Sequence, residues 1–463
     1  MNKISISLRK KLSDFICKTT FSNLPNEVIQ RAKLCSLDLI GVSIAGACQT
    51  TTSIIKGLIS APAGKKEITL WGSRQKVPLL SAVLLNTVQS HVIDMDDGHR
   101  YANGHPGAVT IPVAVALAER ENFKGKELIE AIVIGYDILI RLGTAINPEL
   151  LMRGFHTTAT IGTFASAAVA AKLLGLSPLQ TENALALAGL QSAGLLEALS
   201  SGETGKSFQV GKAAQSGVMA ALLAQQGADG PDLIFEGDKG FFRAFAGKPC
   251  DSDAICRNLG TDFEMTNVYF KKHAACRHIH SALDATAEIV ARYNLTPKDI
   301  ASIEIETYTI AKNLTGHLAI QESEISAKFS TPIAIALLLV FGQTDSTVFK
   351  KHFISDPLVQ ETARKVTVKV NSDRDKTYPK ERSALVTINT KRDSYKHEVT
   401  YPKGETENPL TENEFINKYE KNALSLYSKD RVHKIRDMIL NIENQDVRKL
   451  VAMLKAPSQN AKA

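Results

Sequence analysis

Residues 78–120 read PLLSAVLLNTVQSHVIDMDDGHRYANGHPGAVTIPVAVALAER. PLLSAVLLNTVQ at one end and IPVAVALAER at the other both carry apolar side chains at helical spacing. Between them, the fifteen residues from His91 to His105 hold three carboxylates (Asp94, Asp96, Asp97) and three histidines (His91, His99, His105). A dense polar cluster set into a helical framework costs stability unless each group finds a partner, which makes it a place to look for chemistry.

Working outward, the spacing predicts helices at 5–20 and 24–47, the second opened by Pro25, where a missing N–H matters least. Further helices are expected at 79–90, 109–121, 126–146, 178–200 and 210–227. The segment RGFHTTATIGTFASAAVAAKLLGL (153–176) is rich in small residues, which let helices approach closely, so it reads as a central buried helix. No strand-like alternation is visible before about residue 265, so residues 1–265 are expected to form an all-helical domain. The character then changes. ASIEIETYTI (301–310), KVTVKVN (365–371), SALVTINT (383–390) and SYKHEVTYP (394–402) alternate apolar with polar residues and are rich in β-branched side chains. With helices at 280–293, 326–341 and 357–364, they predict a smaller α+β domain over 266–403 with an antiparallel sheet. Residues 404–463 return to helix, packing back on the first domain, and end in a polar tail read as disordered. The fold class expected is mostly α, a large all-helical domain plus a smaller α+β lid.

Of the 463 residues 44% are hydrophobic and 22% charged, the composition of an ordinary globular protein. The formal charge of +7 is spread along the chain without an aromatic-rich basic stripe, which argues against nucleic acid and for small anionic ligands. The six cysteines contain no C-x-x-C pair, against a zinc site or a disulfide scaffold and in favour of a reducing, cytoplasmic setting. The N-terminus lacks the continuous apolar core of a signal peptide, and no apolar run approaches the roughly 18 residues of a membrane span.

Asp94-Met95-Asp96-Asp97 is a D-x-D-D run, in which adjacent carboxylates cannot all ionise cheaply and one serves as a strong acid, as in class II terpene cyclases. The plainer alternative is a loop whose aspartates cap helices and face water. One tryptophan and 6% aromatics speak against a carbocation cavity, and Asp with His shows no firm metal-ligand spacing. His105, in Asn-Gly-His-Pro-Gly, is presented from a tight loop, as suits a general acid or base, or simply hydrogen-bonds there. His156 opens the small-residue helix, where free N–H groups favour an anion; the alternative is a capping histidine. Lys206 begins GKSFQVGK, which lacks phosphate-loop spacing and suits a carboxylate, unless the lysine is simply solvated. In KKHAACRHIH (271–280), Arg277 offers a fork for a carboxylate, and Cys276 is either a lining residue or an activated thiol.

Together these pieces resemble the MmgE/PrpD family, which includes 2-methylcitrate dehydratase, cis-aconitate decarboxylase and iminodisuccinate epimerase. The elements are HVIDMDDGHRYANGHPG, GYDILIRLGTAI, RGFHTTATIGTFASAAVAAKLLGLSP, GKSFQVGKAAQSG, GADGPDLIFEGDKGFF, KKHAACRHIHSALDA and AKFSTPIAIALLL, in register over about 25–400. The resemblance implies a helical domain with an α+β lid, a homodimer, and an active site between the domains. It assigns Asp94, His105, His156, Lys206 and Lys271 to active-site positions. Gly98, Cys276 and Ile333 stand where the animal decarboxylases of the family carry threonine, histidine and tyrosine, and the loss of two hydroxyls points away from cis-aconitate decarboxylation. The expectation is a lyase without metal or cofactor that acts on a small di- or tricarboxylate, foremost by dehydrating a 2-methylcitrate-like hydroxy acid, with decarboxylation or epimerisation as alternatives. His105, Asp94, His156 and Lys206 are the expected catalytic residues, and Lys271, Arg277, Cys276 and Gly98 the substrate-binding ones.

Overall fold

The structure is a computed structural model that describes residues 7–59, 64–199, 205–317 and 323–457. The chain divides into two compact units. Of the described residues, one takes those up to Leu196, Gly205–Val268 and those from Glu414 to 457; the other takes 197–199 and Tyr269–Asn413.

The first unit is helical and organised around the helix Thr157–Leu173, in which every residue except Lys172 is buried. Helices Pro106–Glu121, Gly125–Ile146, Pro178–Gly189 and Gly205–Gln225 pack against it. Its small side chains allow this. A Cβ added at Gly217 would stand 2.4 Å from the Thr163 carbonyl oxygen, and one at Gly135 would stand 2.6 Å from a Val169 methyl. Hydroxyls buried at these contacts are satisfied by main-chain carbonyls: Thr160 donates to His156 at 3.2 Å and Ser166 to Val109 at 2.8 Å.

Most observed helices match the expected ones to within a few residues at each end, but the one expected at 178–200 runs only over Pro178–Gly189, with a separate short turn at Leu196–Leu199. The central helix begins at Thr157, because Phe155 forms a β-bridge to Leu195. One expected absence is corrected. Strands β1 (Ile68–Thr69) and β2 (Lys76–Val77) form an antiparallel ribbon before residue 265. Two residues per strand are too few for alternation to register in a sequence. The ribbon is held by Glu119, whose carboxylate accepts from the Thr69 N–H at 2.9 Å and hydroxyl at 2.8 Å.

The second unit carries a four-stranded sheet of β3 (Ile300–Thr307), β4 (Val366–Val370), β5 (Ala384–Thr390) and β6 (Ser394–Val399), in the order β4-β3-β5-β6. β3–β5 and β5–β6 are antiparallel, but β3 and β4 run parallel, with Ile303 opposite Val366. The sheet is therefore mixed, not antiparallel as expected. Alternation encodes which face is buried and says nothing of a neighbour's direction. The direction here is set by the long helical crossover between β3 and β4, which parallel pairing requires. Helix His280–Tyr293 packs on β5 and β6, and helix Thr331–Phe341 packs on it and on β4.

Helices Lys429–Leu440 and Val447–Met453 belong to the first unit, with Ile435, Ile439 and Leu450 buried. The polar tail over 458–463 lies outside the described residues. Among the described residues no single helix is long and apolar enough to cross a membrane; one pair, Asn26–Gly46 with Thr50–Ile59, passes only when joined across an 83° bend.

Candidate functional site

The helix Leu79–His91 ends where the polar cluster begins, and the chain turns so that Asp94 takes a positive φ of 58°. A left-handed aspartate is tolerated because its short side chain bonds locally, yet it is uncommon enough to signal a constrained loop. The loop is fastened at several points. His99 N–H donates to the Gly104 carbonyl at 2.9 Å, and the His99 Nδ1 accepts from the Ala102 N–H at 3.2 Å. The Asn147 amide donates to the Ala102 carbonyl at 2.8 Å, and the His105 N–H donates to the Thr158 hydroxyl at 3.1 Å. From the far end of the chain, Lys418 donates to the Met95 carbonyl at 2.9 Å while pairing with buried Asp38 at 2.6 Å.

Each carboxylate of the D-x-D-D run has a partner. Asp94 forms an ion pair with Lys206, at the start of the helix Gly205–Gln225, and both are buried. Asp96 lies 2.7 Å from His91 Nδ1 and 3.4 Å from His105 Nδ1. Asp97 accepts from the Tyr136 hydroxyl at 2.5 Å and from the Gly107 N–H at 3.1 Å. Burial pushes Asp97 up to about 7, against the Tyr136 bond and with help from the charges of Asp38 and Asp96. Asp97 thus holds its proton more firmly than an ordinary carboxylate, in a buried setting against Tyr136.

The histidines keep more of their chemistry. His105 Nδ1 faces the Asp97 main-chain carbonyl at 2.7 Å. A carbonyl only accepts, so Nδ1 carries the proton and the neutral ring has its lone pair on Nε2. The ring of His91 stands 4.9 Å from that of His105 and 6.1 Å from that of His156, centroid to centroid. His156 is the residue before the central helix, but its side chain makes no capping bond; its Nδ1 lies 3.0 Å from Gln209 Nε2. Burial holds His156 well below the usual histidine range, reinforced by the charge of Lys206 and by His91 and opposed by Asp94. Gly98 is buried in the same loop. His91, Asp96 and His105 offer one ligand atom each within 4.8 Å of one another, a spacing compatible with a cation. As bonded here, the Nδ1 proton of His91 points to Asp96, and a cation would have to displace it.

The second unit holds the other polar cluster of the sequence. Lys271 is 1% exposed, Cys276 is buried, and Ile333 is buried near the start of the helix Thr331–Phe341. Arg277 was expected to fork a substrate carboxylate; its guanidinium is already engaged. Nε and Nη2 donate to Glu405 at 3.2 and 3.0 Å, Nη1 donates to the Lys403 carbonyl at 3.0 Å, and Tyr269 covers the plane at 4.4 Å. Nε and Nη2 converge on one Glu405 oxygen, Oε1, so the acceptor is internal. His280 donates to the Ala275 carbonyl at 3.1 Å and meets Arg277 on its other nitrogen at 3.0 Å.

With this geometry in view, comparison with known proteins is decisive at the level of the family. The MmgE/PrpD N-terminal domain matches residues 10–252 and the MmgE/PrpD C-terminal domain matches residues 273–444. The chain belongs to the MmgE/PrpD family. It is 27% identical to a cis-aconitate decarboxylase-like protein of Aspergillus oryzae over 96% of each chain. It is 28% identical to the cis-aconitate decarboxylase of Homo sapiens, over 94% of this chain and 92% of the relative. The mitochondrial 2-methylcitrate dehydratase of Yarrowia lipolytica is 25% identical over 73% of this chain and 68% of the relative.

In this MmgE/PrpD chain the first unit brings together four of the expected residues: Asp94 with Lys206, and His105 and His156 on either side of His91. Of the His105 ring, Nδ1 meets the Asp97 main-chain carbonyl at 2.7 Å and lies 3.4 Å from the Asp96 carboxylate. Sequence reasoning gave no role to Tyr136, Gln209 or Lys418. Gln209 had a signal, since it lies three residues beyond Lys206 on one helix and so faces the same side. Tyr136 and Lys418 had none, because both reach the loop from distant segments.

Proposed function

We propose that this chain is a metal- and cofactor-independent lyase that removes water from a 2-methylcitrate-like hydroxy acid. The observation that carries the reading is His105: its Nδ1 proton is fixed on a main-chain carbonyl, so its Nε2 is a base, in a cluster that also holds a buried lysine and a second histidine. Elimination begins when the base takes a proton from the carbon beside a carboxylate, and charge builds on that carboxylate. Lys206, paired with Asp94 at the start of the helix Gly205–Gln225, binds the carboxylate and stabilises that charge. His156 is the second acid–base group or a donor to the substrate, and Asp94 positions Lys206. From their motif positions, Lys271 binds carboxylate and Gly98 and Cys276 line the site, whereas Arg277 is reassigned from substrate binding to holding its own fold. The resemblance also supports a homodimer, and the scattered cysteines a reducing, cytoplasmic setting.

A second reading is cis-aconitate decarboxylation. It is favoured by relatives of that name matching 94–96% of this chain, against 73% for the yeast dehydratases. The two reactions share a carbanion-like centre beside a carboxylate and differ in what leaves. Purified protein, with and without EDTA, is incubated with 2-methylcitrate, citrate and cis-aconitate in deuterated buffer and followed by proton NMR. Collapse of the 2-methylcitrate methyl doublet to the singlet of a methyl on a double bond, or a new alkene proton if water is lost on the CH2 side, either surviving EDTA, supports the dehydratase. Itaconate and CO2 from cis-aconitate replace it with the decarboxylase, and α-proton exchange without a new product replaces it with an epimerase.

A further inference from the structure

His156 and His105 are held by opposite kinds of partner. The amide of Gln209 is fixed end for end by the Leu195 main chain: Oε1 accepts from the Leu195 N–H at 2.9 Å and Nε2 donates to the Leu195 carbonyl at 3.2 Å. Turning the amide over would set N–H against N–H and oxygen against oxygen. Leu195 itself does not swing, because the chain on both sides of it is zipped to the segment before His156. The His156 N–H donates to the Gly194 carbonyl at 3.1 Å, and the Leu196 N–H donates to the Gly154 carbonyl at 2.8 Å. With its orientation settled, the remaining hydrogen of Gln209 Nε2 is directed at His156 Nδ1, 3.0 Å away. Nδ1 must therefore accept, which leaves the proton of the neutral ring on Nε2. His105 is the reverse, with its proton on Nδ1 and its lone pair on Nε2.

We propose that Gln209 is a positioning residue that locks His156 as a neutral imidazole with its proton on Nε2, so that His156 gives the substrate a fixed hydrogen bond while His105 alone takes the proton. This rests on the lyase reading above and sharpens it. A neutral imidazole that gave up its Nε2 proton would become an imidazolate, so His156 is not the acid; the proton that His105 takes is returned by its imidazolium to the departing hydroxide, which leaves as water. His156 donates a hydrogen bond to the oxygen on which charge develops, and no proton leaves it. A protonated ring would set an Nδ1–H against the Gln209 amide hydrogen, so the same residue that picks the tautomer also opposes ionisation. The low proton affinity of this buried histidine beside Lys206 is in keeping with that.

The test reads the tautomer before it reads turnover. Nitrogen NMR of protein labelled in its histidines, with the His156 signals identified by their loss in His156→Gln, is recorded across neutral pH without substrate. The expected result is an unprotonated Nδ1 and a protonated Nε2 that do not titrate. In Gln209→Glu, whose carboxylate accepts, the proton should move to Nδ1, and kcat should fall on the order of 10²-fold with a smaller change in KM, as for loss of one oxyanion donor. Gln209→Met, of similar volume but without polar atoms, should free the tautomer and cost less than about tenfold. A protonated Nδ1 in the wild type, or a Gln209→Glu enzyme with unchanged kcat, overturns the inference. If the wild-type tautomer is as expected but no carboxylate is turned over, the lyase reading fails while the positioning of His156 by Gln209 stands.

Discussion

In the loop from His91 to His105, Asp94 pairs with Lys206, Asp96 with His91 and Asp97 with Tyr136, and the His105 Nδ1 is fixed on a main-chain carbonyl. In the stretch from Lys271 to Asp284, Arg277 is engaged by Glu405 and main-chain carbonyls, while His273 lies between Asp284 at 3.1 Å and the Thr344 hydroxyl at 2.5 Å. The two stretches are similarly rich in histidine and charge, and charge density alone ranks them alike. What separates them is the kind of partner each group has. A guanidinium whose donors all meet internal acceptors holds the chain together. A histidine with one nitrogen fixed on a carbonyl has its other nitrogen defined as a base.

The largest effect that sharpens this contrast is expected from His105→Ala. Turnover should fall by about 10²–10⁴-fold, with the melting temperature little changed, as measured by initial rates and calorimetry on one preparation. Arg277→Met should show the opposite signature. Removing one partner of a buried pair leaves Glu405 uncompensated and should cost about 3–5 kcal/mol of unfolding free energy in urea titrations. A raised KM at unchanged stability would instead return Arg277 to substrate binding and break the contrast.

Asp97 gives a graded effect with a defined sign. Its folded value near 7 lies above the ordinary 3.8, so between those pH values the native state keeps a proton that the unfolded chain has lost. The wild type should therefore lose stability relative to Asp97→Asn as pH rises through that window, and the difference should level off above it. Melting curves of both proteins from about pH 4 to about pH 8 check this, and a difference independent of pH refutes it. The smallest effect is expected within the same loop. His99 Nδ1 accepts from the Ala102 N–H and closes the loop, so His99→Ala should cost about 1 kcal/mol in stability and leave turnover close to wild type.

Much of the fold could be read from the sequence because periodicity reports burial directly. The helices on either side of His91–His105 and the buried small-residue helix Thr157–Leu173 follow from it. The parallel β3–β4 pair and the β1–β2 ribbon did not, since direction and two-residue strands leave no periodic trace. The candidate site was legible as a list of residue types and not as a set of bonds. Nothing local announces that Lys418 bonds the Met95 carbonyl across 323 residues, or that Tyr136 and not a neighbouring aspartate is the partner of Asp97. Nor does anything local announce that Arg277 meets Glu405, 128 residues away.

The central claim is that His105 is the base. It is tested most directly by His105→Gly, which leaves a ring-sized space in the loop, assayed with 2-methylcitrate and cis-aconitate as imidazole is added. The account predicts a folded, nearly inactive variant whose turnover rises with the concentration of unprotonated imidazole and not with that of imidazolium. A folded His105→Gly enzyme with near wild-type turnover in the absence of imidazole would contradict it.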